Sequence, residues 1–164
     1  CLRIGSAGKT FSVTGWKVGY VTAAPDVLSP VAKAHQFITF TTPPNLQRAV
    51  AFGLGKPDAY FAGLASAMQA KRDRLAAGLG AAGFKVLASG GTYFLSVDIG
   101  SVGFNGNDEE FCRHITEEAG VTAVPVSAFY QESDVNHFAR FCFCKQDAIL
   151  DEAAARLAKH FKGG

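Results

Sequence analysis

No apolar run in this sequence approaches the roughly 20 residues that a membrane-spanning helix requires. The opening residues, Cys1-Leu2-Arg3-Ile4-Gly5, also lack the charged-then-apolar order of a secretory signal. A cytoplasmic protein with no membrane partner is therefore expected. There is no block of like charge either: 16 basic and 14 acidic residues are scattered to a formal charge of +2, which leaves no stripe for nucleic acid. The four cysteines, Cys1, Cys112, Cys142 and Cys144, form no CxxC pair, and none of the four histidines stands at metal-ligand spacing. A metal site is not expected, and buried free thiols are. The first residue is cysteine rather than methionine, which suggests a fragment or a processed product. No repeat, low-complexity tract or flexible linker interrupts the chain.

What remains is a globular composition, 48% hydrophobic and 18% charged over 164 residues, with apolar mass for one core or for parts of two. Trp16 to Ala23 (WKVGYVTA) predicts a strand stopped by Ala24-Pro25-Asp26. Two helices follow, one around Val27 to Gln36 and one opened by Pro43-Pro44-Asn45 and closed near Gly53 and Gly55. Pro57 opens a long amphipathic helix through Phe61, Leu64, Met68, Leu75 and Leu79, ended at Gly83. Phe84 to Leu87 and Thr92 to Asp98, around a Ser89-Gly90-Gly91 turn, predict an antiparallel pair. Asn107 and three acids start a helix running to Gly120. Val121 to Val126 and Phe138 to Cys144 read as strands, and Ile149, Ala153, Leu157 and Phe161 mark a last helix. Any domain boundary falls in the long helix, giving residues 1–56 and 57–164, two lobes joined by a helix.

The triplet Gly8-Lys9-Thr10 suggests a phosphate-binding loop, but the motif G-x-x-x-x-G-K-[ST] would need glycine where Arg3 stands. Nucleotide hydrolysis is set aside on that spacing. Lys9 lies among glycine, serine and threonine with no helical face to solvate it, and Lys17 interrupts the apolar strand WKVGYV, where an unpaired ammonium is costly. Arg140 shares one strand face with Phe138, Cys142 and Cys144, while Ala139, Phe141 and Phe143 take the other, so both faces are apolar. A guanidinium held there needs a partner, and its planar fork fits a carboxylate.

The segment SAGKTFSVTGWKVGY resembles the lysine segment of fold-type I aminotransferases that use pyridoxal 5′-phosphate (PLP), in the kynurenine, glutamine and methionine aminotransferase branch. RFCFCK at 140–145, GGTYFLSVD at 90–98 and GVTAVPVSAFY at 120–130 extend the resemblance from Gly5 to Phe161. It implies an α/β fold, the end of a large PLP-binding domain in residues 1–56 followed by a connecting helix and a small α+β C-terminal domain in 57–164. It also implies a Schiff base between Lys9 and PLP, with Ser6 and Lys17 on the phosphate and Arg140 on the substrate α-carboxylate. The freed Lys9 amine would then move the substrate Cα proton. The small-molecule substrates implied are an amino acid, aromatic or sulfur-containing, and a 2-oxo acid, handled by a homodimer.

The same family places an aspartate against the pyridine nitrogen, other ring ligands and a phosphate loop upstream of its lysine. Only eight residues precede Lys9, so this chain alone is expected to be inactive. Elimination of a thiol from a cysteine conjugate, a β-lyase reaction, would use the same Lys9 and Arg140, and a non-catalytic dimerisation module is the reading from outside enzymology. Tyr93 and Phe94 are candidates to line the substrate pocket but are expected in the core, where aromatic residues of a strand more often lie, Tyr130 is undecided, and His35, His114, His137 and His160 receive no role.

Overall fold

The computed structural model describes residues 1–131 and 134–163. The chain divides into two compact units, Cys1–Phe61 and Ala62–Gly164.

In the first unit, β1 (Leu2–Ser6) pairs antiparallel with β2 (Gly19–Ala23), with Ser6 opposite Gly19 and Gly5 opposite Tyr20. The connection holds a one-turn helix, α1 (Ala7–Thr10), and a 3-10 turn over Thr14–Trp16. The strand expected from Trp16 is therefore shorter. Trp16 ends the 3-10 turn, and Lys17 turns left-handed at φ 55°, so regular pairing starts only at Gly19. Two helices complete the unit, α2 (Pro25–Ile38) and α3 (Pro44–Leu54), each with proline in its first turn, where the missing N–H would have no partner anyway. Its buried core is small: Ala7, Val18 and Val50, with Phe11, Val13 and Leu46 packed against them.

The long helix α4 (Asp58–Ala81) carries the expected apolar positions, but only Leu75 and Leu79 are buried. Gly83 follows it at φ 102°, a conformation that side chains resist and that ends the helix. The second unit contains a four-stranded antiparallel sheet in the order β3 (Lys85–Val86), β4 (Phe94–Asp98), β6 (Phe138–Cys142), β5 (Val124–Pro125). β3 and β4 form the expected pair, with Lys85 opposite Asp98.

Two further helices, α5 (Asp108–Glu118) and α6 (Asp147–Lys162), supply Phe111, Cys112, Ile115, Leu150 and Leu157 to one core with Leu95, Val97, Ala139, Phe141 and Phe143 of the sheet. α5 begins with a capping box, Asn107 accepting from the Glu110 N–H and Glu110 accepting from the Asn107 N–H. α4 and α6 approach so closely that a Cβ on Gly78 would lie 2.6 Å from the Ala154 Cβ. Arg74 bridges them, donating to Asp151 at 2.7 Å.

The thiols depart from expectation: Cys112 is buried, but Cys1, Cys142 and Cys144 are exposed. Cys142 and Cys144 lie on the open side of β6 and its extension. Among the described residues no helix is long and apolar enough to cross a membrane.

Candidate active site

Ser6 closes β1 and caps α1, its Oγ accepting from the Gly8 N–H at 3.3 Å. The turn is then folded back on itself. Gly8 O accepts from the Val13 N–H at 2.9 Å and from Thr14 Oγ1 at 3.2 Å, while the Ala7 N–H donates to Val18 O at 3.1 Å. A Cβ on Gly8 would stand 3.2 Å from the Thr14 Cα, so the small residue permits this closeness. Ser6, Lys9 and Lys17 thus share one tightly bonded connection between two paired strands.

Both lysines are placed differently from what the sequence predicts. Lys9 does lie on a helix, if only a single turn, and its side chain is exposed. Lys17 is outside the strand and exposed, so it carries no desolvation cost of the kind expected. In both cases local backbone bonding overrides the composition of the segment.

In the second unit Arg140 lies at the centre of β6, between Ser96 of β4 and Val124 of β5. The strand has one buried face, Ala139, Phe141 and Phe143, and one open face on which Arg140 is half-buried and Cys142 exposed. The expectation of two like faces gives way to one face packed in a core with α5 and α6 and one that is partly open. There the guanidinium carbon lies over the Phe94 ring at 4.2 Å and over the Phe129 ring at 4.3 Å. Among the described residues it makes no ion pair.

Phe94, expected in the core, is half-buried and serves as one of these rings. Tyr93 packs against the core as expected, and Tyr130 is exposed. Phe129 and Asp108 were not singled out in the sequence. Phe129 ends a 3-10 turn, Ser127–Phe129, and remains 58% exposed despite its contact with Arg140. Asp108, at the start of α5, is fully buried, with Oδ2 accepting from the Ser127 N–H at 2.7 Å and Oδ1 from Ser127 Oγ at 2.8 Å. The acid-rich helix start suggested only a favourable interaction with the helix dipole. Burial pushes the neighbouring Cys112 thiol up to about 12, with the Asp108 charge adding to the effect.

His114 and His160, given no partner from sequence, face each other from α5 and α6 with their Nε2 atoms 2.9 Å apart. His35 Nε2 and Thr39 Oγ1 lie 2.5 Å apart. No group of three or more histidine, cysteine or acidic ligands occurs among the described residues.

The chain resembles known proteins over nearly all of its length. The solved N-succinyldiaminopimelate aminotransferase of Mycobacterium tuberculosis is 44% identical, superposes with a TM-score of 0.88, and is matched over 96% of this chain and 41% of its own. Kynurenine–oxoglutarate transaminase of Dictyostelium discoideum is 38% identical over 96% of this chain and 41% of its own length. Methionine aminotransferase of Escherichia coli is 37% identical over 95% and 40% respectively. The chain therefore spans about two-fifths of the length of these relatives. Residues 1–157 match the family described as aminotransferase class I and II, and the chain belongs to it.

Proposed function

We propose that the protein carrying this chain transfers an amino group from an amino acid, aromatic or sulfur-containing, to a 2-oxo acid, using PLP attached at Lys9. The observation that carries the reading is Arg140, half-buried on a paired strand, set against two phenyl rings and without an ion pair among the described residues. A guanidinium so placed is suited to a carboxylate arriving from outside.

The donor set of the first unit fits the cofactor. Lys9 supplies a primary amine for its aldehyde, and Ser6 and Lys17 supply a hydroxyl and a cation for its phosphate, all on the one connection between β1 and β2. When bound, PLP supplies the electron sink that makes the Cα proton of an amino acid removable. Lys9 Nζ would take that proton from Cα and deliver it to C4′ of the cofactor, since it is already held at the reacting centre. Arg140 would grip the α-carboxylate of each substrate in turn.

On this reading residues 1–56 end a large PLP-binding domain, and 57–164 form a connecting helix and a small C-terminal domain. The holoenzyme would work as a homodimer in the cytoplasm. The test is borohydride reduction of the PLP-loaded protein followed by peptide mapping. A pyridoxyl label on Lys9 supports the reading, and a label confined to other lysines overturns it.

A further inference from the structure

The groups around Arg140 connect elements distant in sequence. Phe94 comes from β4, Arg140 from β6, and Phe129 from the 3-10 turn after β5. That turn is fastened by both carboxylate oxygens of Asp108, the one charged residue that is buried among the described residues. Burying a carboxylate costs unless its oxygens are satisfied, and here both are used on Ser127, two residues before the ring that meets the guanidinium. The Asp108 N–H in turn donates to Asn136 O at 2.8 Å.

We propose that Phe94 and Phe129 fix the orientation of the Arg140 guanidinium for a substrate carboxylate, and that Asp108, through Ser127, positions Phe129 for that task. The inference rests on the proposed carboxylate role of Arg140 and adds four positioning residues to it. A phenyl face attracts a cation without occupying its N–H groups in strong hydrogen bonds, so contact with two rings orders the fork while leaving it able to bind oxygen. Ordering a long side chain before the ligand arrives improves affinity, because less freedom is then lost on binding.

The holoenzyme decides it, with Phe129→Leu, Phe129→Tyr, Ser127→Ala and Arg140→Ala measured singly, and Phe129→Leu also in the Arg140→Ala background. Two readouts are used: the kcat and KM of an accepted amino acid, and the dissociation constant of 3-phenylpropanoate, a carboxylate with no amino group. Phe129→Leu should raise both KM and the dissociation constant about tenfold with kcat within about twofold, and Ser127→Ala should move them the same way by about threefold. Phe129→Tyr, which keeps the ring, should restore both values. In the Arg140→Ala background, Phe129→Leu should add less than about twofold, since the group it orders is gone.

If Arg140→Ala raises KM but Phe129→Leu leaves it unchanged, the positioning role fails and the carboxylate reading stands. A full additive effect of Phe129→Leu without Arg140 would also overturn it, because the ring would then act independently of the guanidinium. If Arg140→Ala leaves both constants unchanged, the carboxylate reading itself falls and takes the positioning role with it.

Discussion

The two units prepare their polar groups by opposite means. In the first, Ser6, Lys9 and Lys17 are exposed, and order comes from the backbone: a cap on α1, two bonds to Gly8 O and one from Ala7 to Val18. In the second, Arg140 is ordered by side chains, two rings beside it and a buried carboxylate behind one of them. The difference suits the proposed roles. A covalent attachment and a phosphate need donors at fixed positions and tolerate water, whereas recognition of a single carboxylate gains from a surface that is partly dry.

The largest expected effect separates chemistry from binding. Lys9→Ala should lower turnover of the holoenzyme by at least about a thousandfold, while Arg140→Lys should mainly raise KM, on the order of tenfold, because an ammonium cannot make the bidentate contact. Steady-state kinetics on both variants checks this, and equal losses of kcat would erase the distinction.

A second comparison concerns the cores. Leu79, fully buried in the larger cluster, should cost about 2–5 kcal/mol when cut to alanine. Val50 of the smaller cluster, losing fewer carbons, should cost about 1–2 kcal/mol. Chemical denaturation of each variant measures both, and a larger loss at Val50 would invert the ranking of the two cores.

Gly78→Ala should destabilise by about 1–3 kcal/mol, visible as a lowered melting temperature, because the new methyl meets Ala154 on a helix already fastened through Arg74.

The smallest effect is one of pH. The Cys112 thiol ionises at about 12 in the fold, above its ordinary value of 9.0, so between those values the unfolded chain sheds this proton and the folded chain keeps it. The stability tied to this group is full below pH 9 and is lost as pH rises toward 12. Cys112→Ala should therefore flatten the fall of melting temperature between pH 9 and 11. Alkylation at neutral pH should spare Cys112 while modifying Cys142 and Cys144, which are exposed.

Elements with strong punctuation were legible from the residues alone. Proline and glycine place α3 within a residue or two, and Asn107 with Glu110 marks the start of α5. The turns of the first unit were not legible. A one-turn helix of Ala-Gly-Lys-Thr has no periodicity to detect and persists through bonds to Val13, Thr14 and Val18. At Lys17 the aromatic and β-branched neighbours argued for a strand that the left-handed turn delays.

Arg140 stood out because a cation in an apolar strand is conspicuous, and its strand is where the spacing put it. Asp108 and Phe129 did not stand out, because the bonds that give them meaning span 19 residues and join a helix start to a loop. An acid at a helix N-terminus and an aromatic after a strand are both ordinary until they are seen to serve one guanidinium.

The left-handed backbone at Lys17 sets stability against use. At φ 55° a lysine costs about 1 kcal/mol or more relative to glycine, which adopts that conformation freely. Lys17→Gly should therefore make the bare fold sturdier. If the ammonium serves a phosphate, that same change weakens retention of the cofactor, so this position would be kept suboptimal for folding by the work its side chain does. An engineer seeking a hardier scaffold would be drawn to Lys17 first, and would have most reason to leave it alone.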